Sequence, residues 1–256
     1  MAAESVFSQP GAGARLDWGS TGAAELSRAC AVLVVVDVLS FSTAVDVAVA
    51  RCTRVHPFPW AGEDAAGYAV RIGGVVAVGR SQVTPERPWS LSPAALGRAP
   101  AVPDLVLPSP NGAAICAAAA STGIPVFAAC LRNATAVAGW LRAHGYGRPD
   151  AAVGVVAAGE RWPDGTLRPC VEDLLGAAAV IDGLAQGGVR LSVEAAVALA
   201  ALAAVPDVPA AISGCVSGQE LITRGYGDDV AVAVELNVST VVPALRSGAF
   251  VDAGPA

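Results

Sequence analysis

Asp37 closes a run of six apolar residues, Ala31 to Val36, and is followed at once by Ser40, Ser42 and Thr43. A carboxylate at the end of such a run must pair, ligate a cation or reach solvent. It suits two tasks: capping a helix that starts near Phe41, or chemistry at the carboxyl end of a buried strand. Further polar clusters follow later apolar runs. Ser109-Pro110-Asn111-Gly112 offers hydroxyl, amide and backbone N–H groups at a helix start, where an anion is welcome. Arg132-Asn133 does the same with a guanidinium and an amide, and Gly159 to Gly165 contains Glu160 and Arg161. Both arginines suit phosphate or carboxylate through paired hydrogen bonds. Glu172-Asp173 complements a helix dipole at the start of the next long helix. Together with Asp37, the pair forms a carboxylate set for a hard cation such as Mg²⁺, which takes few protein carboxylates and keeps waters and phosphate oxygens. Metal-assisted phosphate chemistry is the economical expectation.

Other routes to phosphoester cleavage fail on spacing. None of the six cysteines has an Arg six positions on, as a cysteine phosphatase loop requires. An aspartyl-phosphate enzyme of the haloacid type wants a second Asp two residues after the first, and position 39 is Leu. His56 lies beside Pro57 within a strand, and His144 ends a helix with no Arg beside it. A phosphate loop of the Gly-Lys-Ser/Thr kind is impossible in a chain whose sixteen basic residues are all Arg. The cysteines form no C-x-x-C pair, so neither a zinc knuckle nor a dithiol motif is present.

The elements that must position these residues alternate, Val-rich runs with Ala-rich ones, which predicts an α/β fold: three layers around a mainly parallel or mixed sheet. Strands are expected at 31–37, 53–58, 74–79, 104–108, 125–129, 151–157 and 230–236. Helices are expected at 41–51, 62–72, 112–121, 133–144, 171–186, 192–204 and 217–224, several opening after Ser, Asn or Asp and several ending at Gly. Five prolines mark 80–103 as the longest irregular stretch, long enough for a functional lid. Val34-Val35-Val36-Asp37 and Val153-Gly154-Val155-Val156 each precede a polar loop and a helix, which raises the option of two similar α/β halves. The division expected is an N-terminal segment 1–30 joining a first half 31–130, with the 80–103 loop, and a second half 131–256.

A chain of 256 residues with 54% apolar and 15% charged residues can bury a full core. A net charge of −6 without a basic cluster sets nucleic-acid binding aside. No signal-peptide pattern opens the chain, and the longest helical apolar run, Ala195 to Val205, is too short to span a membrane. A cytoplasmic, reduced setting is expected, with no membrane or nucleic-acid partner; a homodimer is admissible.

In order along the chain, these motifs resemble the 2-phosphosulfolactate phosphatases, Mg²⁺-dependent acid phosphatases of coenzyme M biosynthesis. The resemblance is carried by Val36-Asp37-Val38-Leu39 with Ser42-Thr43, Ser109-Pro110-Asn111-Gly112, Arg132-Asn133-Ala134, and Gly159-Glu160 with Glu172-Asp173. It continues through Ser217-Gly218-x-x-Leu221, Gly225, Asp228-Asp229-Val230 and Val242-Pro243. It implies a duplicated α/β chain with the site between its parts. It further implies hydrolysis of a small anionic phosphate monoester with Mg²⁺ as cofactor. With it, Asp37, Glu172 and Asp173 are expected to be catalytic and metal-binding, and Ser42, Thr43, Ser109, Asn111, Gly112, Arg132, Asn133 and Arg161 to bind substrate. The attacking group, water or side chain, stays open. Three departures accompany the match. Ser40 stands where the family pattern has Arg. Gly79-Arg80 and Leu91-Ser92-Pro93 are what remains of Gly-Glu-Arg and Gly-Asn-Ser-Pro, and Cys170-Val171 replaces Ser-Leu. They leave the substrate open and admit two alternatives, a member that binds a small anion or metabolite without turnover and a phosphoryl-transfer or lyase activity on the same scaffold.

Overall fold

Most of the Val-rich runs become strands, and the Ala-rich runs between them become helices. The computed structural model describes residues 5–59 and 64–254. In chain order the elements are β1 (Ala14–Trp18), α1 (Gly19–Ser27), β2 (Val32–Val36), α2 (Phe41–Val49), β3 (Arg54–Pro59), α3 (Ala65–Ile72), β4 (Val75–Val76), α4 (Pro93–Arg98) and β5 (Asp104–Ser109). There follow α5 (Gly112–Ala120), β6 (Val126–Ala129), α6 (Ala134–Ala143), β7 (Val153–Ala157), β8 (Glu160–Arg161), β9 (Leu167–Arg168), α7 (Val171–Ala185) and α8 (Val193–Ala203). The chain ends through α9 (Val208–Gly214), α10 (Val216–Thr223), α11 (Gly227–Ala233), β10 (Pro243–Arg246) and β11 (Ala249–Asp252).

A nine-stranded mixed sheet runs in the order β1-β7-β2-β6-β10-β11-β3-β5-β4, and β8 and β9 form a separate hairpin. β1, β7, β2 and β6 pair in parallel, as do β3, β5 and β4. The antiparallel β10–β11 hairpin joins the two blocks. Segments 31–130 and 131–256 therefore share one sheet, with β7 seated between β1 and β2. β2 shows why its sequence is a continuous apolar run: Val32, Val34 and Val36 pack into one core cluster, and Leu33 and Val35 into the other. A parallel strand covered on both faces has no polar side to show. α6, α7 and α8 cover the first face and α1, α2 and α5 the second, giving three layers. A smaller core holds α3 against β3 and β5 through Ala69, Phe58 and Val106.

The sequence expectations change at several elements: α1, α4, α9 and the β8–β9 and β10–β11 hairpins form where no helix or strand is expected, and two further changes bear on the packing. The strand expected at 230–236 is helical, α11. The alternating Val230, Val232 and Val234 read as a strand, but the acidic first turn of Asp228 and Asp229 favours a helix start, and Asp229, Val230 and Ala233 share its buried side. β1 was not expected because Arg15 and Asp17 interrupt it. Arg15 is buried and spends its guanidinium on the carbonyls of Ala12 (3.1 Å) and Ser8 (2.6 Å). The 80–103 stretch is irregular apart from a single 3₁₀ turn at Arg80–Gln82 and α4. Residues 62 and 63 of the helix expected at 62–72, and residues 1–4 of the N-terminal segment, lie outside the described residues. Among the described residues, no single helix is long and apolar enough to cross a membrane.

Candidate active site

Asp37 leaves β2 at the mouth of two helices. Its Oδ1 accepts from Phe41 N (3.1 Å) at the start of α2, and its Oδ2 from Gly112 N (3.0 Å) at the start of α5. Capping and site placement thus coincide in one carboxylate. Neither helix has a side-chain cap from the residue just before it, Ser40 or Asn111, so Asp37 supplies what both lack. Gly112 must be glycine here: a Cβ would stand 2.4 Å from Phe41 Cδ1 and 2.7 Å from Asp37 Oδ2. Ser42 and Thr43 are buried beneath this turn. Ser42 Oγ accepts from Asp37 N (3.0 Å) and donates to Val35 O (3.1 Å), while Thr43 Oγ1 donates to Val38 O (2.8 Å).

The first turn of α7 brings Glu172 and Asp173 to the same place. Asp173 Oδ1 accepts from Val38 N and Oδ2 from Gly159 N, both at 2.8 Å, which ties the loops after β2 and β7 together. Glu172 is buried, and its Oε2 accepts from the Cys215 thiol (3.2 Å). Asn111 Nδ2 donates to Glu160 Oε1 (2.7 Å). Around these groups lies a cleft of about 210 Å³ lined by Asp37, Ser109, Asn111, Glu160, Glu172 and Asp173 on its acidic and amide side. Arg80, Arg168 and Arg224 also line it, with Ser40 and Ser217.

Electrostatics follow from this crowding. Burial pushes the Asp37 carboxyl up to about 6; the Phe41 and Gly112 N–H groups hold it down, and the charges of Glu160 and Glu172 add to the rise. Burial, then Asp37 and Glu172, push Asp173 well above the carboxylate range. A site whose acids raise one another has an appetite for positive charge. Burial, then the charges of Glu172 and Asp173, push the nearby Cys170 thiol up to about 12, and burial pushes Cys215 up to about 11, which favours the protonated thiol at both.

Of the residues singled out from sequence, Asp37, Glu172, Asp173, Ser109 and Asn111 meet at the cleft, with Gly112 bonded to Asp37. Arg132 and Asn133 do not line it. Arg132 pairs with Asp46 (2.9 Å), fully buried on α2, and with Glu235, and Asn133 Oδ1 accepts from Cys130 N (2.9 Å). Burial raises Asp46 above its ordinary range, against hydrogen bonds from Ser239 and Arg132. Arg161 lies in an adjoining pocket with Trp18 and Thr21, which shares Asn111 and Glu160 with the cleft. The cations that do line the cleft, Arg80, Arg168 and Arg224, were not chosen from sequence. Arg80 stands in the reduced Gly79-Arg80 motif, and that motif was the signal to follow.

Oxygen donors dominate the acidic side, and among the described residues no three His, Cys, Asp or Glu side chains converge as a ready-made metal cage. A cation held here would therefore rest on one or two carboxylates, with waters and ligand oxygens completing its shell. A family model described as 2-phosphosulpholactate phosphatase matches residues 21–248, a span that contains every residue of the cleft.

Proposed function

The chain belongs to the 2-phosphosulpholactate phosphatase family, and from that premise we propose that it hydrolyses a small anionic phosphate monoester in the cleft beside Asp37, with Mg²⁺ as cofactor. The observation that carries this reading is the meeting of two buried carboxylates, Asp37 and Glu172, with three guanidinium groups around one small cleft. Asp37 and Glu172 would hold the cation, with Glu160 alongside. Bound Mg²⁺ supplies a Lewis acid for a phosphoryl oxygen and offsets the charge that develops there. Asp173, committed to Val38 N and Gly159 N, keeps the two loops in register. Asn111 is aligned by Glu160, and Arg168 is held by Ser217 Oγ (3.2 Å), so both present fixed donors to an ester. Such preorganised donors are what stabilise a phosphoryl group in flight.

The test is release of phosphate from a panel of small carboxylate-bearing phosphate esters, with Mg²⁺ and with a chelator. Wild-type turnover that disappears with the chelator, and falls at least about 100-fold in Asp37→Ala and in Glu172→Gln, is expected. Unchanged turnover in both variants would sink the assignment. Ligand-induced thermal stabilisation without any turnover would favour a binding protein instead.

A further inference from the structure

Arg80 is held in an unusual way for a cleft-lining cation. Its Nε donates to Asp229 Oδ2 (2.8 Å), and its Nη2 donates to Ser40 Oγ (2.6 Å) and to Leu91 O (3.3 Å). A guanidinium has five N–H bonds; three are thereby committed, and the Nη1 edge keeps two that are engaged by none of the bonds just named. Asp229 is itself held on both oxygens, since its Oδ1 accepts from Ser92 Oγ and from Ala94 N (3.3 Å) at the start of α4. It is 2% exposed, and the Tyr226 ring lies 5.5 Å from the guanidinium carbon.

We propose that Asp229 is a positioning residue that locks the Arg80 guanidinium with its Nη1 edge toward the cleft, where that edge binds an oxygen of the phosphate group. This rests on the phosphatase reading above. The lock fixes both the plane and the rotation of the fork: Asp229 holds Nε, and Ser40 and the Leu91 carbonyl hold Nη2. A long side chain fixed in this way has less freedom to lose when an oxyanion arrives. The Ser40 hydroxyl accepts from Arg80, which places the guanidinium one hydrogen bond from the start of α2. A simple staple between the 80–103 loop and α11 would need the same ion pair but would leave anion affinity unaffected.

The probe is inorganic phosphate, titrated calorimetrically into the full chain at fixed Mg²⁺, for wild type, Arg80→Ala, Asp229→Asn and the double variant. Arg80→Ala is expected to weaken phosphate binding by about 10- to 100-fold, the worth of one charge-assisted hydrogen-bonded contact. Asp229→Asn keeps an oxygen for Ser92 and Ala94 and is expected to weaken binding by about 3- to 10-fold. In the Arg80→Ala background, it should add nothing, because its effect runs through Arg80. Should Arg80→Ala fail to fold, Arg80→Lys, which keeps the charge and loses the fork, carries the same comparison. An equal loss from Asp229→Asn in both backgrounds, an unchanged dissociation constant in Arg80→Ala, or no phosphate binding by wild type would overturn the proposal. Coupled phosphate binding by a protein that hydrolyses no ester would remove the enzymatic reading and leave this one standing.

Discussion

Asp37 does three jobs at once, and their conflict is measurable. It caps α2, caps α5 and faces a cleft that holds other acids. Its carboxyl is near 6 in the fold, against 3.8 for the free group, so the folded state binds the proton more tightly. Stability therefore falls as pH rises through roughly 4 to 6, and the penalty is present in full above 6. The difference is worth roughly 3 kcal/mol. In the absence of divalent cation, the stability of Asp37→Asn relative to wild type should rise by up to about that much between pH 4 and pH 7.5, read from urea midpoints. A flat difference across that range would show that the carboxylate is not strained. Gly112 is the other half of the same contact. Gly112→Ala forces a methyl group into Phe41 and Asp37 Oδ2 and should cost about 1 to 3 kcal/mol in urea unfolding. Asp37 was legible in the sequence because a charge after six apolar residues is conspicuous. Its double capping was not, since the partner amide lies 75 positions away in the chain.

The first turn of α7 carries two adjacent acids with different work. Asp173 satisfies two buried backbone N–H groups, so Asp173→Ala should lose about 2 to 4 kcal/mol of stability. Glu172→Gln keeps an acceptor for the Cys215 thiol and should hold its melting temperature to within a few degrees while turnover falls. Comparing thermal unfolding with activity for the two variants separates support from chemistry. At the start of α6, Arg132 belongs with support. Arg132→Ala would leave the fully buried Asp46 with its charge uncompensated, at a cost of about 3 kcal/mol, with the Michaelis constant unchanged. Sequence pattern predicted most helices and strands here because apolar period and length agreed. It failed at 230–236, where Val230, Val232 and Val234 satisfy a strand and a short helix equally and only the acidic turn before them decides. It missed β1, whose Arg15 finds its carbonyl partners through the fold rather than in its neighbours. Arg132 and Arg80 show the same limit for the site: each is one Arg after an apolar run, and only the distant acid that claims it, Asp46 or Asp229, tells where its charge is spent.

The molecule depends on a seam. The β10–β11 hairpin joins the two parallel blocks, yet it meets β6 at the single register pair Ala244 and Phe127, and β3 at the single pair Phe250 and Val55. Within the blocks, β2 and β6 are zipped over four residue pairs and β3 and β5 over six. Amide hydrogen exchange should therefore open the hairpin before the centre of β2, by a margin of at least tenfold in protection, with the core strands exchanging only on global unfolding. Phe250→Ala, which removes a fully buried ring packed edge-on against Phe41, should cost about 3 to 5 kcal/mol. The same seam sets a clock on biosynthesis. β3 and β5 leave the ribosome early, but their link to β2 and β6 consists of residues made after every other strand. At ribosomal rates of about 5 to 20 residues per second, the nascent chain holds two half-sheets with open edges for roughly 6 to 25 seconds before the last hairpin can close them. Chaperones that bind emerging polypeptides would meet Val55 and Phe127 uncovered in that interval.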